Sequence, residues 1–151
     1  MSEGHIFFWI FSYNLSWLFS RLWNPIILLL PFVVVQNGSK VAVEMTIRCK
    51  SFATANEPGG LKYFSTKEDT EFNELAWTVG SGQLPEGMEE AMMGMHKNAL
   101  RRIEIPSTQA FTARKLDQLP LPTTKDGKRR FENLFKTDAT LLFEVLVTRI
   151  K

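Results

Sequence analysis

The sequence predicts an α+β domain, with antiparallel strands and one helix laid against one face. Three observations carry that expectation. Residues 40–48, KVAVEMTIR, alternate apolar and polar side chains with period two. Residues 139–150, ATLLFEVLVTRI, form a second long run rich in β-branched and aromatic residues. Between them, residues 85–95 alone show clear helical spacing with end signals.

The elements follow in order. In the first strand Val41, Val43, Met45 and Ile47 share one face, the pattern of a half-buried strand. Residues 53–60, ATANEPGG, are turn chemistry, with Pro58-Gly59-Gly60 the strongest break. Leu61 to Phe64 reads as a short strand, 65–71 as a polar loop, and 72–79, FNELAWTV, as a strand ended by Gly80-Ser81-Gly82. The helix opens at Pro85 and carries Glu86, Glu89 and Glu90 in its first turns, where carboxylates suit the positive end of the dipole. Met88, Ala91, Met92 and Met95 give its apolar face, and Lys97-Asn98 closes it. Ala99 to Ile105 alternates again, with Leu100, Ile103 and Ile105 as core candidates. Residues 106–138 read as a long polar connection containing Leu119-Pro120-Leu121-Pro122. No repeat or low-complexity tract is present.

Composition narrows the chemistry. The 151 residues suffice for one domain with a core, and a net charge of +2 gives no reason to expect a nucleic-acid partner. One cysteine excludes an internal disulfide, and with two histidines a Ser/His/Asp triad or a metal cluster is poorly supplied. Cys49 sits in a strand, where a buried, inert thiol is the expectation. The Met stripe reads as core rather than a soft metal site, and His96 as a surface turn residue. Gly80-x-Gly82 lacks the Lys-Ser/Thr of a phosphate loop. No cofactor and no metal are expected. Lys125 to Arg130, KDGKRR, reads as a solvated loop, with an anion-binding patch or nuclear address as the alternatives.

Residues 1–36 differ in composition from all that follows, and the domain is expected over 37–151. Three readings of the apolar leader compete. A membrane-spanning helix needs about 20 apolar residues, and Asn14, Ser16, Arg21, Asn24 and Pro25 interrupt the run. A signal peptide lacks its basic start and a clean cleavage site. The third is a gene-model artefact, since Phe, Leu, Ile and Val codons share a central T. If residues 5–35 are expressed, so apolar a stretch associates with membranes or aggregates.

Residues 75–106 carry a resemblance. The order L-x-x-x-V-G-x-G-x-L-P-x-G-x-E-E-A-x-x-G-M, then R-R-I-x-I-P, is similar to the FKBP-type peptidyl-prolyl isomerases, the macrolide-binding immunophilins. The similarity extends over about residues 38–151. Gly38 to Thr46 resembles the family's opening strand G-D-x-V-x-V-x-Y-T, with Ser39 for the Asp and Met45 for the Tyr. Phe64-Ser65 stands for Phe-Asp, Leu75 for an aromatic, and Leu84-Pro85-Glu86-Gly87-Met88 for V-I-x-G-W. Ile105-Pro106 followed by Ala110-Phe111-Thr112 resembles I-P-x-x-x-A-Y-G, and Leu141 to Val147 the closing L-x-F-x-V-x-L.

The resemblance implies a curved antiparallel sheet wrapped around one short helix, with a hollow that seats a prolyl ring. It nominates Phe64, Leu84, Met88, Phe111 and Phe143 as catalytic positions, and Met45, Ser65, Leu75 and Pro85 as substrate-binding ones. It implies isomerisation of X-Pro bonds in protein segments, expected to be weak because Met88, Ser65 and Met45 replace Trp, Asp and Tyr and Phe111 lacks a hydroxyl. The alternative is a non-catalytic interaction domain docking a partner complex through the groove or the basic 114–130 stretch. Weak macrolide binding is a further expectation. The long LPLP connection resembles that of plant and algal thylakoid-lumen members, which implies that compartment.

Overall fold

The computed structural model describes residues 32–51, 56, 59–136 and 138–151. The leader readings for residues 1–31 and most of the 53–60 turn lie outside them. Phe32–Lys151 is one compact unit. Among the described residues no helix is long and apolar enough to cross a membrane.

Strand β1, Lys40–Ser51, runs three residues past its expected end and is the spine of the sheet. Its alternation places Val41, Val43, Met45, Ile47 and Cys49 in the core. Along one side it pairs antiparallel with β5, Ala139–Ile150, over nearly its whole length. Along the other side β3, Leu75–Thr78, covers its first half and β2, Leu61–Ser65, its second. Strand β4, Leu100–Ile105, pairs with β5 and forms the far edge. The ladder on β1 has a gap between Val43↔Leu75 and Thr46↔Ser65. Thr66 fills it: its Oγ1 accepts from Met45 N at 3.1 Å, so the buried amide keeps a partner.

Residues 65–71 were expected to be loop, but contain a four-residue helix, α1, Thr66–Asp69. Asp69 nucleates that turn, accepting from Ser65 N at 3.0 Å. The following strand is shorter than 72–79, because Asn73 takes φ 57° and turns the chain, leaving Phe72 81% exposed. Helix α2, Glu86–Met92, is the expected central helix, also shorter than 85–95. It ends at Gly94, φ 76°, and Asn98 takes the left-handed conformation in the turn before β4. Met88, Met92 and Met95 are buried, as their spacing implies.

The connection 106–138 is not irregular. It holds α3, Ser107–Lys115, and α4, Lys125–Leu134, so KDGKRR is helical rather than a loop. Thr124 caps α4, its Oγ1 accepting from Gly127 N at 3.2 Å. The folded unit also begins ahead of residue 37. Val34 bridges His96, Val35 N donates to Met95 O at 2.9 Å, and Val35 is buried.

Candidate active site

Sheet register brings the nominated aromatic pair together. Ile47 pairs with Phe64 on one side and Phe143 on the other, and Phe143 pairs with Ile103. Paired residues share a face, so Phe64, Ile47, Phe143 and Ile103 form one apolar row across four strands. Met88 and Leu84 join the same core cluster from α2 and the loop before it, with Met45 beside them on β1. Exposures of 0% for Met88 and Phe143, 3% for Phe64 and 4% for Leu84 make this a sealed apolar centre.

The remaining nominated residues sit at its margin. Leu75 and Phe111 are half-buried against the cluster. Leu75 and Leu84 line a surface cleft of about 170 Å³ with Trp77, Leu119 and Pro120. Pro85 lines a separate cleft of about 390 Å³ between α2 and α3. Met45 and Ser65 contribute to a third, about 210 Å³, shared with Glu44, Glu144 and Leu146. The nominated positions are therefore not gathered in one hollow: Met88, Phe143 and Phe64 lie in the closed centre, Met45 and Leu84 reach from it to separate clefts, Ser65, Leu75 and Pro85 line those clefts, and Phe111 lines none of them.

Phe111 explains the closure on one side. Its ring meets Phe135 edge-on at 6.0 Å, and Phe135 packs at 5.0 Å on Phe131, which packs at 5.2 Å on Tyr63. The Arg114 guanidinium lies 4.7 Å over Phe135 and 5.2 Å over Phe131. Tyr63 joins this group because of a β-bulge: Ile47 pairs with Phe64 and Arg48 with Lys62, leaving Tyr63 as the extra residue. A bulge re-aims its side chain, which is why neighbours Tyr63 and Phe64 are both buried.

The electrostatics are those of a dry site. The Tyr63 hydroxyl is buried with no hydrogen-bond partner among the described residues, and burial, then Cys49, push its pKa far above the usual phenol range. Burial, then the charge of Asp138, pushes the Cys49 thiol up to about 11, so it stays protonated at neutral pH. Asp69 supplies a carboxylate four residues beyond Ser65, the position where the family carries its pocket Asp. Burial disfavours its charge, but bonds from Ser65 N, Thr123 N, Thr124 N and Thr123 Oγ1 outweigh that and hold its pKa below the usual range. Glu89, expected only as a dipole partner, is buried and accepts from Trp77 Nε1 at 2.8 Å and Gly80 N at 3.0 Å.

Sequence reasoning missed Tyr63, Asp69, Phe131 and Phe135. The i,i+4 spacing of Phe131 and Phe135 and the Thr124 cap were the available signals.

The family model for FKBP-type peptidyl-prolyl cis-trans isomerase matches residues 34–148, well over half of the chain. Its start at Val34 agrees with the building of Val34 and Val35 into the fold. The match is to the family as a whole, with no subgroup distinguished. No curated protein matches the chain. An antiparallel sheet with a short helix against it, an apolar row sharing one core with Met88, and this match together place the chain in the family of FKBP-type peptidyl-prolyl cis-trans isomerases.

Proposed function

We propose that this chain is a weak peptidyl-prolyl isomerase acting on X-Pro bonds of protein segments. The observation that carries the reading is the buried apolar row of Phe64 and Phe143 with Met88 beside it. Rotation about an imide faces a barrier of about 18–20 kcal/mol and needs no nucleophile or metal. Resonance places charge on the carbonyl oxygen, so an apolar enclosure disfavours the planar state relative to the twisted one. Orientation is what this chain lacks. Phe111 has no hydroxyl, Pro85 has no N–H to donate, and Met88 is flexible where an aromatic floor would fix the ring. Each lost hydrogen bond in a buried site costs about 1–3 kcal/mol, or roughly tenfold to hundredfold in rate. In a protease-coupled assay on an X-Pro tetrapeptide, we expect kcat/KM at least tenfold below that of a family member with the full aromatic set. Equal turnover would contradict the reading.

The sealing of the centre favours a second reading, a non-catalytic interaction domain. Absence of turnover together with absence of macrolide binding in a titration would select it. The basic stretch then offers less than its composition implies: Arg114 stacks on two rings, Arg130 donates to Lys62 O at 3.2 Å, and Arg129 pairs with Asp126. Lys115, Lys125 and Lys128 remain exposed for a partner. A thylakoid-lumen location rests on the resemblance of the long connection, its LPLP, the Gly127-Lys128-Arg129-Arg130 run and the gap before Leu141, and fractionation of the tagged chain tests it. Mapping the 5′ end of the transcript decides whether residues 1–35 are expressed.

A further inference from the structure

We propose that α4 is an intramolecular strap that holds the prolyl hollow shut, so that peptide is admitted only when α4 lifts from β2. The inference rests on the isomerase reading above. The centre it guards is sealed, and Phe135 packs edge-on against the ring of Phe111. Phe135 and Leu134, at the end of α4, are buried in the same cluster as Phe64, Met88 and Phe143. The strap is therefore part of the closure rather than a neighbour of it.

Beside the packing of Phe131 and Phe135 on Tyr63, its polar and close backbone attachments to β2 and α1 are discrete. At the leading end Asp69 accepts from Thr123 N at 2.8 Å and Thr124 N at 3.3 Å. Midway, Gly127 lies so close to β2 that a Cβ there would stand 2.9 Å from Tyr63 O and 2.6 Å from Pro122 Cβ. Further along, Arg130 reaches the Lys62 carbonyl. The outer face, with Lys125, Lys128, Arg129 and Glu132, is exposed. Ten residues with an internal glycine do not make a stable helix alone, so α4 depends on this docking.

The closed state also carries a built-in penalty. Tyr63, whose ring meets Phe131 and Phe135, keeps a buried hydroxyl with no partner. Lifting α4 would return that hydroxyl to water and recover part of its desolvation cost. Lifting the strap also exposes Leu134 and Phe135, so the closed form is the majority state and the open one a minor state that peptide would draw on. Apparent affinity for peptide is reduced by the fraction of molecules that are open.

The test uses the full-length chain and a Leu-Pro tetrapeptide, with isomerisation read from NMR exchange between its cis and trans signals. Gly127→Val unseats α4 by steric clash while leaving every nominated pocket residue in place. We expect faster backbone-amide hydrogen exchange in α4, unchanged protection in β5, and kcat/KM raised about tenfold or more. Faster α4 exchange with kcat/KM unchanged or lower would overturn the strap. A second measurement, which decides the matter if the variant does not fold, follows α4 exchange in the wild-type chain as the tetrapeptide is added. Faster exchange supports the strap, and unchanged or slower exchange in a chain that turns the peptide over overturns it and leaves the isomerase reading standing. No turnover by either chain removes both.

Discussion

At the scale of single residues, two buried polar groups set the sharpest expectations. Tyr63 loses hydration and gains no partner, so Tyr63→Phe is expected to leave stability unchanged or raise it, by up to about 1–3 kcal/mol. Urea unfolding measures this, and clear destabilisation would mean that the hydroxyl has a partner after all. Asp69 is the opposite case. Its folded pKa is depressed below the unfolded value of about 3.9. Its contribution is therefore fully present above that value and is lost as pH falls through the folded pKa. Asp69→Asn is expected to cost about 1.5–3 kcal/mol at neutral pH and to flatten the acid limb of the stability profile. A variant whose acid limb matches the wild type would contradict the assignment. Cys49 and the methionine stripe were legible in the sequence because alternation and helical spacing determine which face a side chain joins. Tyr63 was not, because its burial depends on a bulge in register between two strands.

At the scale of elements, the strands were readable and the connection was not. Strands β1 and β5 carry their pattern along their whole length. Helix α4 opens with six residues that carry no apolar side chain, and its helical spacing shows only at its end, in Phe131 and Leu134 with Phe135 at the C-cap, too short a pattern to mark the helix. Its helical state comes from docking rather than propensity. Phe135→Ala is accordingly expected to cost about 3–5 kcal/mol, the range for deleting a buried aromatic side chain. Thermal denaturation would show it, and a shift below 2 °C would place Phe135 outside the core. Helix α2 has a related dependence. Glu89→Ala would leave Trp77 Nε1 buried without an acceptor, a loss of about 1–3 kcal/mol, and would remove the acceptor of the more exposed Gly80 amide. Full retention of stability in that variant would show that water replaces the carboxylate.

At the scale of the whole molecule, the folded unit starts at Phe32. Val35 buries its side chain and exchanges two backbone hydrogen bonds with the turn after α2, Val35 N to Met95 O and Gly94 N to Val35 O. A chain of residues 32–151 is expected to unfold cooperatively and to exceed one of residues 36–151 by about 2 kcal/mol, the worth of one buried valine. Equal melting temperatures for the two would detach Val35 from the core. The val-rich end of the leader was read with the apolar run before it, because composition does not tell a strand bridging a turn from the tail of a hydrophobic segment.

By itself the sequence determined the α+β class, the order of strands around a central helix, the buried thiol and the family, since each depends on local period or on residue order along the chain. Only the tertiary structure decided that Phe64, Met88 and Phe143 are fully buried together, that Asp69 ties Ser65 to Thr123 and Thr124, and that a basic connection is a helix whose end packs on Tyr63 and Phe111. The physical reason is the same in each case. Those features arise chiefly from contacts between residues far apart in the chain, such as Phe111 with Phe135 and Asp69 with Thr123, whose strength depends on register and packing rather than on any local pattern.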